Sequence, residues 1–256
     1  MGPVMVLIIW LTLVNYVFVI RNVEVIGAGS VPERDVVRLS GIALGSRMDG
    51  IDAQVLKAAI ESDGRLAYEG VEKRYPTTIR LKVRERSQDA LILQAGKVLI
   101  LDSDGYVAAV SDRLPEASMP YVTGLRPSAF QLGRQLDAAD GRLSAMKAVL
   151  EALKTHNAMA YVSEINVESV RELHIITRTG MRVTLGDQEN MNDKIVWMVG
   201  ALRDLEARGE TAGVLDVSSA TKADFLSYAT PTPEPTAEPT PEATPEGQAV
   251  IGEGAI

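Results

Sequence analysis

The chain has 256 residues, 46% of them hydrophobic and 23% charged, enough for two modest folded units plus extensions. It contains no cysteine, which excludes disulfide staples, a thiolate nucleophile and cysteine-built zinc sites. Its formal net charge of -8 speaks against a nucleic-acid partner.

Residues 3–20, PVMVLIIWLTLVNYVFVI, run for eighteen positions without a charge, close to the ~20 needed for a bilayer-spanning helix. A membrane span over residues 1–20 is therefore expected. A secretory signal peptide is the competing reading, but no basic n-region precedes the run and no small-x-small cleavage site follows it. Beyond it the charge is uneven. Residues 21–86 hold twelve Lys and Arg against ten Asp and Glu, whereas residues 87–256 hold fourteen against twenty-four. A boundary is expected near Ser87 to Ala90.

The first unit opens with NVEVIGAG, a short strand placing Val23 and Val25 on one face. Gly27 and Gly29 after a strand invite a dinucleotide fingerprint, but Pro32 stands where its third glycine belongs, so a turn is expected. Ser30 is expected to cap a helix with Pro32 and Glu33 in its first turn and Val36, Val37 and Leu39 on its apolar side. A second helix starts at Asp52 and carries Val55, Leu56, Ala59 and Ile60. Two strands follow, joined at Pro76 and Thr77. They fall in VEKRYPTTIRLKVRER, residues 71–86, where six of sixteen side chains are basic. Ile79, Leu81 and Val83 alternate with Arg80, Lys82, Arg84 and Arg86, which puts a buried face opposite a basic one. The basic face is either a docking surface or a solvated face kept charged against aggregation.

In the second unit, residues 91–110 read as a meander with turns at Ala95-Gly96 and Ser103-Asp104-Gly105. The Asp pattern there lacks the Gly and Glu positions of an EF-hand loop. Leu143, Met146, Val149, Leu150 and Leu153 recur at helical spacing. Strands YVSEINV, ELHIITR and MRVTLG follow, then a helix through NDKIVWMVGALRDLEARG. The stretch GVLDVSSATKADF, residues 213–225, reads as a final strand with nothing after it to pair with, and so as an open edge; the alternative is that the edge lies elsewhere, near YVTGL. Residues 230–247 carry six of the chain's twelve prolines among Thr and Glu, and are expected to be an extended, disordered tail.

Catalytic machinery is sparse. His156 ends a helix and His174 sits in a strand, and neither has a Ser or Asp partner at a recognised spacing. A carboxylate pair for glycoside hydrolysis cannot be singled out from an acidic surface. No enzyme activity, cofactor or metal is expected.

The helix pair opened by VEVIGAGSVPERDVVRLSGIALGSRM, followed by VEKRYPTTIRLKVRER just outside an apolar run, resembles the POTRA domain of the FtsQ/DivIB family of bacterial cell-division proteins. Val71, Arg74, Pro76, Val83, Glu85 and Arg86 fit its pattern. GMRVTLGDQENMNDKIVWMVGALRDL with GVLDVSS looks like the C-terminal half of that family's β domain, and the proline tail resembles those of Gram-positive members. The resemblance implies an α+β protein: a transmembrane helix at 1–20, a βααββ POTRA domain at 21–88, a mixed and mainly antiparallel β domain at 89–228, and a tail at 229–256. It further implies a septal, single-pass scaffold with its bulk outside the cytoplasm. Expected partners are an FtsB- or DivIC-like protein, an FtsL-like protein and the septal peptidoglycan synthase complex. On that view Asp216, Val217, Ser218, Ser219, Lys222 and Phe225 lie at or near a strand-addition contact, with Arg80, Lys82, Arg84 and Arg86 as a second surface. A POTRA-bearing secretion component and a membrane-anchored wall enzyme are the alternatives.

Overall fold

The computed structural model describes residues 2–12, 18–115, 119–137 and 140–228. The proline-rich tail lies outside them. The apolar run forms an eleven-residue helix, α1 (Gly2–Thr12), on which Val4, Met5, Val6, Ile9 and Trp10 are all exposed. No helix among the described residues is long and apolar enough to cross a membrane. The expected span also ends too late at residue 20. Ile20 is fully buried, its N–H donates to Ser46 O at 2.9 Å, Met48 N–H donates to Phe18 O at 3.2 Å, and Val19 bridges Arg47. Residues 18–20 therefore belong to the first folded domain, because their backbone groups are satisfied there.

That domain runs β1 (Asn22–Ile26), α2 (Glu33–Ser40), a 3₁₀ turn (Met48–Gly50), α3 (Ala53–Glu61), β2 (Leu66–Arg74) and β3 (Thr78–Glu85). The expected order of strand, two helices and two strands is present. Its sheet has the order β1-β3-β2, with β1 parallel and β2 antiparallel to the central strand. Ile79, Leu81 and Val83 face inward as their alternation requires, packing with Ile20, Val36, Leu56, Ile60 and Leu66. Asp52 caps α3 by accepting the N–H of Gln54 at 2.7 Å, whereas Val55 is 63% exposed and off the buried stripe.

Ser30 does not cap α2; Pro32 holds the N-cap position. Ser30 instead gives its N–H (2.7 Å) and its hydroxyl (2.5 Å) to the Glu85 carboxylate. This contact explains the GAGS glycines. A Cβ on Gly27 would lie 2.0 Å from Val83 O, and one on Gly29 2.0 Å from Glu85 Oε2, so the turn can lie flat against the end of β3 only without side chains.

The second domain contains β4 (Ala90–Gln94), β5 (Lys97–Leu101), β6 (Val107–Ser111), β7 (Tyr121–Thr123), α4 (Arg142–Thr155), β8 (Val162–Asn166), β9 (Leu173–Thr177), β10 (Arg182–Gly186), α5 (Met191–Ala207), β11 (Gly213–Asp216) and β12 (Asp224–Ser227). One sheet holds its nine strands in the order β12-β11-β10-β9-β8-β7-β4-β5-β6. The β4–β7, β7–β8 and β10–β11 pairs are parallel and the others antiparallel. The core lies between this sheet and the apolar sides of α4 (Met146, Val149, Leu150, Leu153) and α5 (Ile195, Met198, Leu202, Leu205). Two strands differ from expectation. The YVT segment, suggested as an edge, is β7 in the sheet's interior, and β12 pairs with β11 where no strand was expected.

Candidate functional site

The basic face of β3 is matched by carboxylates from both neighbouring strands. Arg80 donates to Glu24 Oε2 on β1 at 2.7 and 2.9 Å and lies 3.9 Å from Glu72 on β2. Lys82 pairs with Glu72, and Arg84 Nε is 3.3 Å from Glu69. The Glu72 carboxyl is held below its ordinary range, first by its hydrogen bond from Lys82. Arg80, Lys82 and Arg84 thus build a cross-strand charge ladder of alternating sign with Glu24, Glu72 and Glu69 rather than a positive patch.

Arg86 leaves that face altogether. The β3 ladder ends at Glu85, so the alternation no longer directs the next side chain, and Arg86 turns into the contact between the domains. Its side chain is 3% exposed. Nη1 donates to Asp102 Oδ2 at 2.8 Å, Nη2 lies 3.5 Å from Glu61 Oε1, and the guanidinium stacks 3.9 Å over the Tyr106 ring. Asp102 is held in turn by the N–H groups of Asp104 (3.0 Å) and Tyr106 (2.8 Å). Asp89, just before β4, ties this turn to α4 by accepting the Ser103 N–H at 2.8 Å and Lys154 Nζ at 2.8 Å on the same Oδ2. Glu61 and Arg86 come from the first domain and Asp102 and Tyr106 from the second, so this cluster fixes one to the other.

At the C-terminal end, the expected contact residues divide. Val217 is fully buried and its N–H donates to Thr184 O at 3.0 Å, so it bonds inward and is not at an edge. Asp216 Oδ1 accepts the Ser218 N–H at 2.9 Å, which starts the loop through Ser219 to Lys222 that leads into β12. Lys222 pairs with Asp224 at 2.6 Å, and that hydrogen bond raises its pKa above the ordinary value. The outermost strand is β12. Phe225 packs against the core, while Leu226 (69%) and Tyr228 (61%) are exposed. Tyr228 N–H donates to Ala212 O at 3.3 Å, so in the antiparallel register Leu226 also bonds inward and the Phe225 N–H points away from β11. Beside this strand, Trp197, Ala201, Leu205 and Phe225 line a groove of about 310 Å³ between α5 and β12.

Catalytic geometry is not assembled around the histidines. His156 closes α4, and the His174 Nδ1 lies 3.4 Å from both Glu172 O and an Arg182 nitrogen. Among the described residues no group of three or more His, Asp and Glu side chains is spaced to hold a metal ion.

Comparison with known proteins agrees with this architecture. The model "POTRA domain, FtsQ-type" matches residues 18–86, and "Cell division protein FtsQ/DivIB, C-terminal" matches residues 87–218. The cell division protein DivIB of Clostridium tetani is 21% identical over 203 residues, covering 78% of this chain and 76% of its own. Cell division protein FtsQ of Anaeromyxobacter sp. (strain K) is 24% identical over 212 residues, covering 81% and 70%. The solved major extracytoplasmic domain of the trans isomer of DivIB from Geobacillus stearothermophilus aligns at 14% identity and a TM-score of 0.32, over 48% of this chain and 96% of its own. Because the C-terminal model alone spans residues 87–218 of 256, and the FtsQ-type POTRA model adjoins it, the chain belongs to the FtsQ/DivIB family of cell division proteins.

Proposed function

We propose that the protein is a non-catalytic scaffold of the division machinery, anchored in the membrane by the uncharged run before Phe18 and working at the septum with its folded domains outside the cytoplasm. There it captures an extended segment of an FtsB- or DivIC-like partner, itself paired with an FtsL-like protein, and links them to septal peptidoglycan synthesis. The observation that carries this reading is β12: the outer strand of a nine-stranded sheet, with Phe225 N–H directed outward and the apolar side chains of Leu226 and Tyr228 exposed beside it. An added strand gains affinity from backbone hydrogen bonds and specificity from alternate side chains, and Leu226 and Tyr228 occupy one such alternation. Membership in a cell-division family favours this over a secretion component. The all-round apolar character of α1 supports the anchor.

The test is capture of the purified partner by the full chain. Leu226→Glu with Tyr228→Glu is expected to lower affinity at least about tenfold, the equivalent of about 1.4 kcal/mol, with the melting temperature kept. Unchanged capture by a folded double variant would move the contact elsewhere. A Val217→Pro variant does not serve, because that N–H holds β11 to β10 and its loss breaks the protein's own sheet.

A further inference from the structure

We propose that the first folded domain lies against the membrane surface through a face built from Phe18, Leu44 and Tyr75 and edged by Arg21, Lys73 and Arg74, with acidic phospholipid headgroups as its partner. The inference rests on the anchor reading above and adds the domain's orientation to it.

Residues 18–21 are clamped between two loops. On one side Gly45 N–H donates to Ile20 O at 2.7 Å and Val19 bridges Arg47; on the other Arg21 N–H donates to Thr77 O at 2.8 Å. Both loops are thereby fixed at the point of exit. Thr12, the end of α1, is separated from Phe18 only by residues 13–17, a reach of at most about 20 Å. Whatever medium covers α1 is thus close to these loops.

Their tips carry side chains that suit an interface. Leu44 is 66% and Tyr75 64% exposed. The Phe18 and Tyr75 rings meet edge to face, with centroids 5.6 Å apart, which joins the exit point to the turn between β2 and β3. An aromatic pair with one phenolic hydroxyl, together with an exposed Leu one residue before the Gly45 that bonds Ile20, fits the headgroup region, where amphipathic rings gather. Charge points the same way. Arg21 is exposed, and neither it nor Lys73 forms an ion pair among the described residues. Arg74 is half exposed, with its nearest carboxylate, Glu72, at 4.0 Å. Elsewhere on this sheet each cation of β3 has a close carboxylate, whereas at the exit end Arg21 has none among the described residues, Lys73 acts on Asp49 only at longer range and Arg74 reaches Glu72 only at 4.0 Å, so positive charge is in excess there. Basic residues near an anionic leaflet gain from it.

The absence of native cysteine makes the experiment direct. Single cysteines are placed at Val6→Cys, Leu44→Cys, Tyr75→Cys, Glu206→Cys and Leu226→Cys in the full chain, labelled with an environment-sensitive fluorophore, and reconstituted into phosphatidylglycerol-containing or pure phosphatidylcholine vesicles bearing nitroxide lipids. Labels at positions 44 and 75 are expected to lose emission to a shallow nitroxide in the acidic vesicles, while those at 206 and 226 keep theirs. Adding Arg21→Glu and Arg74→Glu should restore the emission at 75 without changing the quenching at position 6. If the labels at 44 and 75 behave like that at 226 while the label at 6 is quenched, the inference falls and the anchor stands. Loss of quenching at position 6 would overturn the anchor itself, and equal quenching in both vesicles would overturn the acidic headgroup as partner.

Discussion

Arg86 and Asp102, from different domains, meet at 2.8 Å with both side chains 3% exposed. Burying two charges is costly unless each keeps its partners: Arg86 has Glu61 and the Tyr106 ring as well, although its buried Nε has no hydrogen-bond acceptor among the described residues, and Asp102 has two backbone donors. The contact therefore matters most when it is half removed. Arg86→Ala leaves two buried carboxylates without a cation and is expected to cost about 3 kcal/mol. Calorimetry should show the single unfolding transition splitting in two as the domains lose their link. Asp102→Asn, which can keep the backbone hydrogen bonds, should cost less.

Gly133 tests the same contact through the backbone. Its φ is +73°, and a Cβ there would sit 1.7 Å from Glu61 O in the first domain. Gly133→Ala should destabilise by more than about 1 kcal/mol and make the segment between the domains more sensitive to protease. Gly180→Ala, at similar φ but with open space around it, should leave that segment protected.

Acid should loosen the turn that Ser30 and Glu85 hold together. The Glu85 carboxyl is kept below its ordinary value of 4.5, first by the Ser30 hydroxyl and then by the Ser30 N–H. A pKa lower in the folded than in the unfolded state gives stability that is present above the ordinary carboxylate range and lost as pH falls through the depressed value. Glu85→Gln should thus reduce the denaturation midpoint at neutral pH, and the difference from the parent should shrink once both side chains are neutral. A difference that grows in acid would contradict the assignment.

The charge ladder predicts an asymmetry. Reversing Lys82 and Arg84 to Glu sets like charges against Glu72 and Glu69 and should lower the melting temperature slightly, by an amount that salt screens. Adding Glu72→Lys and Glu69→Lys should recover most of it. Failure of the second pair to rescue would mean that the face is not held by these contacts.

Much of this fold is visible in the residue pattern. The alternation of Ile79, Leu81 and Val83 orients a strand, and the Asp52 carboxylate marks a helix start, because both depend on neighbours in sequence. What the pattern hides depends on distant groups. Ser30 has the chemistry of a cap, yet its hydroxyl is taken by Glu85, 55 positions away. Strand β7 is three residues long and gains its place from β4 and β8, which no local periodicity records. Arg86 continues the basic alternation in sequence but lies one residue past the ladder, so Asp102 decides where it points. At the C-terminal edge the general location was legible, whereas the strand itself was not: four residues before a proline-rich segment carry too weak a signal against the stronger apolar run of β11.

The two ends of the nine-stranded sheet are not alike. At the β6 end, Gly133 N–H and Val107 N–H bond reciprocally across to Val107 O and Arg134 O, Leu136 N–H reaches Gly105 O, and Gly64 of the first domain presses on the Ala108 carbonyl. That rim is occupied by the chain itself. Within the nine-stranded sheet the described residues leave β12 as the rim at which a further strand can add, so two copies joined there rim to rim would close on each other and not propagate as a filament.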